Sequence, residues 1–98
     1  MTNDHYVCPV CGYPNLFRQP WNEHLRNPSF EICPCCGIQF GDQDYPLGTT
    51  DIKERFDAVQ GFHNRWRDQW ISNGMLFKHI AERPEGWNPI KQLQSISY

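Results

Sequence analysis

Two short stretches of the chain carry residues that can do chemistry: CPVCG, from Cys8 to Gly12, and CPCCG, from Cys33 to Gly37. Superimposed, they give two C-x-x-C pairs, Cys8 with Cys11 and Cys33 with Cys36, with 21 residues between Cys11 and Cys33. Two such pairs are the ligand set of a four-thiolate zinc site. Two residues between the cysteines let a tight turn aim both sulfurs at one ion. Proline after the first cysteine fixes φ and stiffens the turn. Glycine after the second tolerates positive φ, so that backbone amides can face the sulfurs and offset the charge of the tetrathiolate. The expected site is one structural Zn²⁺ on Cys8, Cys11, Cys33 and Cys36, and the same four ligands also accept iron.

Cys35 is the surplus thiol. One reading makes it a redox sensor that swaps into the metal shell or forms a mixed disulfide, with release of zinc. The simpler reading is packing, because Cys35 stands where the first stretch has Val10. Negatively charged thiolates on either side would also blunt it as a nucleophile. Four histidines, His5, His24, His63 and His79, are surplus as ligands once four matched cysteines fill a tetrahedron. None forms a nucleophile–base–orienter set with Cys35, and no phosphate-cradling loop occurs. Asp42 and Asp44 in GDQDYPLG resemble the start of a calcium loop. Pro46 stands at the third ligand position and no Glu stands at the twelfth, so a solvated turn is expected.

These residues need elements to place them. Up to about Tyr45 the chain is rich in Cys, Pro and Gly and has no helical period. Tyr6-Val7 and Phe30-Glu31-Ile32 read as strands entering the two cysteine turns. Leu16-Phe17 and Ile38-Gln39-Phe40 read as strands leaving them. Beyond Tyr45, Ile52, Phe56, Val59, His63, Trp66 and Trp70 recur at spacings of three and four, the signature of an amphipathic helix. On this stripe His63 reads as a half-buried residue beside Trp66. Thr50 or Asp51 is the expected cap, with Glu54 completing a capping box, and Asn73-Gly74 is the expected stop. MLFKHIAE reads as a short helix or turn that Pro84 ends. Asn88 and Pro89 start a terminal helical turn in PIKQLQSI.

Composition sets limits on function. In 98 residues with a net charge of −2 there is no basic footprint for a nucleic-acid backbone. The alternation of Arg65, Trp66 and Arg67 keeps a stacking surface for nucleic acid as an alternative, opposed by Asp68 and the net charge. No secretory signal and no membrane span are read in the sequence, so the expected location is the cytoplasm, where cysteines serve metals or redox chemistry rather than disulfides. Fourteen large aromatic rings (four Trp, four Tyr, six Phe) can supply much of a small core.

The paired turns resemble the zinc-ribbon, or rubredoxin-knuckle, architecture, in which each cysteine pair sits at the turn of a β-hairpin. With FEICPCCG and the acidic GDQDY that follows, the chain also resembles the small bacterial cysteine-rich CPCC proteins. The resemblance implies a fold and a metal rather than an activity. The expectation is a single small α+β domain over residues 1–98. Residues 1–45 would form a zinc ribbon of two knuckled β-hairpins, and residues 46–98 a long amphipathic helix and a short C-terminal helical tail packed on it. A metal closed by four thiolates has no open position for substrate, so the expected role is not enzymatic. An accessory or immunity-type module that acts by contact with another protein fits best, with a Cys35 thiol-redox protein and a nucleic-acid-binding ribbon as alternatives.

Overall fold

A computed structural model describes residues 5–22, 25, 27–48 and 51–96. His24 and Thr50, singled out above, lie outside these residues. The element order is a long helix α1 (Ile52–Ser72), a 3₁₀ turn (Ile80–Glu82) and a short helix α2 (Pro89–Gln94).

Where two hairpins were expected, no described strand extends beyond a single bridge. Tyr6 pairs with Leu16 across the first cysteine turn and Ile32 with Gln39 across the second, both antiparallel. Longer ladders fail for local reasons. Phe30 has φ +60°, which breaks the extended run before Ile32. Beyond Leu16, the N–H groups of Phe17 and Arg18 donate to the two carboxylate oxygens of Glu31, both at 2.9 Å. A side chain has taken the place of a partner strand. Inside each bridge the two turns repeat the same bonds. Cys8 N–H donates to Tyr13 C=O at 2.8 Å and Gly12 N–H to Cys8 C=O at 2.9 Å. In the second turn Cys33 N–H donates to Ile38 C=O and Gly37 N–H to Cys33 C=O, both at 2.9 Å. The internal repeat in sequence is therefore a repeat in backbone geometry.

Helix α1 begins where the sequence predicts. Asp51 is extended and its carboxylate accepts the Glu54 N–H, which satisfies one of the orphan donors of the first turn. The helix passes through Gly61 without a break. It ends in a Schellman motif: Gly74 has φ +101° and donates to Ile71 C=O, while Met75 donates to Trp70 C=O. Four of the six predicted stripe residues face the core. Val59, His63 and Trp70 are buried and Trp66 packs against the core, but Ile52 and Phe56 are 50% and 56% exposed. The first turns bury Arg55 instead, whose Nε and a terminal nitrogen both donate to Leu25 C=O. A stripe counted from apolar residues cannot foresee this, because a loop carbonyl, rather than an apolar wall, faces the helix there.

After α1 the chain turns back across the cysteines. Phe77 is buried between two rings, edge-on to Tyr13 at 5.8 Å and to Trp87 at 5.2 Å. The 3₁₀ turn stops before Pro84, and α2 starts as predicted: Asn88 Oδ1 accepts from Ile90 N–H and Lys91 N–H, with Pro89 first in the helix. The core gathered by these elements is centred on the cysteines. All five are buried, together with Val10, Leu16, Ile38 and Phe40. Tyr13, Trp21, Val59, Trp70, Phe77 and Leu93 complete the same cluster, so the cysteines form its centre and the aromatic side chains much of its periphery.

Candidate metal centre

Cys8, Cys11, Cys33 and Cys36 converge, with their four sulfurs within 4.8 Å of one another. Across the two turns, Cys11 Sγ lies 3.7 Å from Cys33 Sγ and Cys8 Sγ lies 4.0 Å from Cys36 Sγ. A tetrahedral ion with metal–sulfur bonds of about 2.3 Å requires sulfur–sulfur edges of about 3.8 Å, and the two cross-turn separations bracket that value. No disulfide competes, since all five cysteines are free thiols. The donor set and its spacing fit one tetrahedral ion. Zinc and iron share this geometry.

The electrostatics call for a cation. Burial pushes the Cys11 and Cys36 thiols far above the ordinary cysteine range. Cys33 is held far below it, chiefly as the acceptor of hydrogen bonds from Cys11, Cys36 and Cys8, and also of the Cys36 backbone N–H. Burial this deep favours thiols that keep their protons unless a cation offsets the charge of the thiolates. A divalent ion would displace those protons and satisfy all four sulfurs.

The outward carbonyls of both turns are capped by the rest of the chain. On the first turn, Arg67 donates from Nε to Val10 C=O at 2.6 Å and from a terminal nitrogen to Pro9 C=O at 2.8 Å. Gln92 Nε2 donates to Cys11 C=O at 3.1 Å. On the second turn, His79 N–H and Lys78 N–H reach Pro34 C=O and Cys35 C=O, both at 2.9 Å. Trp66 Nε1 donates to Cys36 C=O at 3.0 Å. The two glycines allow this close cover. A Cβ on Gly12 would run into the Gln92 carbonyl oxygen, and one on Gly37 would lie 2.8 Å from Lys78 Cδ. Both residues also take positive φ, +88° and +81°.

Cys35 is brought beside the four but not among them. It is fully buried, and its sulfur accepts from Gln92 Nε2 at 3.3 Å. The amide of Gln92 is itself oriented by Trp87 Nε1, which donates to Oε1 at 2.8 Å. Of the histidines, His5 is exposed beside Phe17, and His79 is exposed and 3.5 Å from Glu82. Neither approaches the sulfurs closely enough to join the cluster. Arg65 lies over the Phe62 ring, while Trp66 and Arg67 are spent on the cysteine turns.

Two further expectations are overturned here, for Asp44 and for His63. Asp44, read as part of a solvated turn, is fully buried, whereas Asp42 is exposed. Asp44 accepts from Trp21 Nε1 at 2.8 Å and Gly41 N–H at 2.6 Å, and pairs with His63 Nε2 at 2.6 Å. Burial by itself raises its pKa, but the hydrogen bonds from His63, Trp21 and Gly41 outweigh burial and hold the carboxyl below the usual carboxylate range. His63 is correspondingly a buried member of this network, edge-on to Phe40, rather than a half-buried neighbour of Trp66. A lone histidine centred on an apolar stripe was the available signal, since a buried imidazole needs a polar partner. Arg67 and Gln92 had no such signal, because their partners are backbone carbonyls about 60 to 80 positions away.

Two proteins of Bacillus subtilis (strain 168) resemble the chain along most of its length. The uncharacterised protein YoaQ is 33% identical over 88 residues, which span 87% of this chain and 73% of YoaQ. The uncharacterised protein YozI is 33% identical over 84 residues, spanning 82% of this chain and 68% of YozI. The chain belongs to the YoaQ/YozI family. No protein-family model matches it, and no solved structure matches it significantly. A match of this extent cannot be confined to the cysteine turns. The YoaQ/YozI likeness therefore takes in helical residues as well as the turns they cover.

Proposed function

We propose that the chain is a small zinc-stabilised interaction module. Cys8, Cys11, Cys33 and Cys36 hold one structural Zn²⁺ in a ribbon-like pair of knuckles, and the protein acts by contact with another protein rather than by catalysis. The observation that carries this reading is the closed site: four convergent, buried sulfurs whose turns are covered on their outer carbonyls by Arg67, Gln92, Trp66 and the 78–79 backbone. Four thiolates complete a tetrahedron and leave no position for substrate or an activated water. The resemblance of FEICPCCG and GDQDY to the bacterial cysteine-rich CPCC proteins supports the same assignment of fold and metal.

The test is metal content together with stability. Purified protein is expected to be colourless and to carry one zinc per chain; a red protein would mean iron and redirect the reading to electron transfer. Chelation is expected to abolish the dispersed amide spectrum, because metal binding of about 10 kcal/mol or more is also folding free energy when no site preexists. A metal-free chain with an unchanged melting temperature would remove the structural role. For the interaction role, affinity capture from the native host that recovers no protein above background in several growth conditions would count against it.

A further inference from the structure

Beside the second cysteine turn, helix α1 and the returning chain part around a cleft of about 640 Å³. Trp66, Trp70 and Phe77 line it. Both indole N–H groups are already bound inside the fold, Trp66 to Cys36 C=O and Trp70 to Leu76 C=O. The rings are therefore fixed in place; Trp70 and Phe77 are themselves buried, so the apolar surface left to an incoming group is Trp66 with the exposed Leu76 and Ile80.

The charge of this cleft runs against that of the molecule. The chain carries a net −2, yet the charged residues lining the cleft are two cations, Lys78 and Arg83. Neither side chain makes an ion pair among the described residues. The nearby carboxylate of Glu82 is turned toward His79. Lys78 is held with its stem across Gly37, and its backbone N–H is fixed on Cys35 C=O, so the metal-bearing turn positions one of the two charges. Along the cleft stand Leu76 and Ile80, 70% and 68% exposed. A small acid inside the cleft would leave both uncovered, whereas a length of chain laid across it would bury them.

We propose that this cleft docks an extended segment of a partner protein in which an apolar anchor side chain is flanked by carboxylates. The anchor would pack on Trp66, Leu76 and Ile80, over the buried rings of Trp70 and Phe77, and the carboxylates would pair with Lys78 and Arg83. Aromatic floors rimmed by arginine are where binding energy concentrates in protein interfaces. Complementary charge then selects the partner and its register. This inference rests on the reading of the chain as an interaction module.

The experiment is selection of random displayed peptides on the metal-loaded full chain, followed by anisotropy titration of the best sequence. Enrichment of Phe, Trp or Leu beside Asp or Glu is expected. Lys78→Glu with Arg83→Glu is expected to weaken that peptide about tenfold or more at unchanged metal content. Arg83→Glu alone, which leaves the cysteine turn untouched, is expected to lose part of the same affinity. No enrichment, enrichment of basic sequences, or equal binding by the double variant would overturn the proposal. So would saturation of the cleft by a simple fatty acid such as laurate, or dimerisation of the free chain through it. Parallel capture from host extract separates the two readings. If wild type and double variant recover the same proteins, the cleft assignment fails while the interaction role stands. If neither recovers any, the interaction role fails with it.

Discussion

The two cysteine turns have the same internal bonds and the same sequence grammar, but they are covered in different ways. The first is capped by side chains from distant helices, Arg67 on α1 and Gln92 on α2. The second is capped mainly by backbone, the N–H groups of Lys78 and His79, with one indole from Trp66. Their exits differ as well. Tyr13, after the first turn, packs into the stack of Phe77 and Trp87. The second runs on to Asp44, whose buried carboxylate ties the loop to Trp21 and to His63 of α1. The repeated part is what a metal needs. The unrepeated part is how one chain surrounds two copies of a turn with elements that are not themselves repeated.

The largest expected difference lies at the exits. Asp44→Ala removes one partner of a buried pair and strands donors on Trp21, Gly41 and His63, for a loss of about 3–5 kcal/mol. Asp44→Asn isolates the charge. A carboxyl held below its unfolded value near 4 contributes stability that is present above that value and is lost as pH falls through the lower folded value. Wild type is therefore expected to exceed the Asn variant at neutral pH, with the two melting curves converging in acid. Protonation of metal-binding thiolates affects both proteins alike and cancels in the difference. A gap that stays constant down to the acid limb would show that the charge adds nothing.

Next in size is the contrast between the glycines. Gly12→Ala and Gly37→Ala both force a Cβ into positive φ, at about 1–2 kcal/mol each. At Gly12 the added carbon also meets the Gln92 backbone, so α2 must lift, whereas at Gly37 it meets a lysine stem that can swing aside. The Gly12 variant is expected to lose about 3 kcal/mol, with the overpacking added, and the Gly37 variant about half of that. Equal losses in urea titration would mean that α2 does not lean on the first turn.

Smaller still is the contrast between caps. Arg67→Ala leaves Pro9 and Val10 carbonyls without their donor and is expected to cost about 2–3 kcal/mol. Trp66→Phe removes one hydrogen bond, keeps most of the packing, and is expected to cost about 1 kcal/mol, because backbone donors still hold the second turn. Competition with a chromophoric chelator should show faster metal loss from the arginine variant. If the tryptophan variant released metal faster, the side-chain and backbone covers would have to change places in importance.

What was legible in the sequence follows from range. The C-x-x-C pairs, the Asp51 cap, the Asn73-Gly74 stop and the Asn88-Pro89 start are local signals, and each appears where its residues predict. The strands are shorter than the sequence predicts because the residue types at Leu16-Phe17 say nothing about the Glu31 carboxylate that takes the amides of Phe17 and Arg18. The apolar stripe failed at Ile52 and Phe56 because a carbonyl of Leu25 recruits Arg55 inward. Asp44 looked solvated because composition cannot distinguish an exposed aspartate from one met by a histidine nineteen residues later. The misses are long-range polar contacts, for which hydrophobic periodicity carries no term.

The finest comparison is at the middle of the two turns, where Val10 and Cys35 are both fully buried. If that position asks only for a small apolar side chain, Cys35→Val should be tolerated. Valine is larger by roughly one methylene, a size the matching place in the first turn holds at Val10, the position is not one of the four clustered sulfurs, and the lost interaction is a contact from Gln92 Nε2 that also has Cys11 C=O to bond. A cost below about 1.5 kcal/mol is expected, with one metal per chain retained. Thiol labelling sharpens the result: with zinc bound, the buried Cys35 of the wild type should react no faster than global unfolding exposes it. Fast labelling in the folded, metal-loaded state, or oxidant-driven metal release that Cys35→Val abolishes, would make the second turn chemically different from the first. The spare sulfur would then be a redox device rather than a substitute for valine.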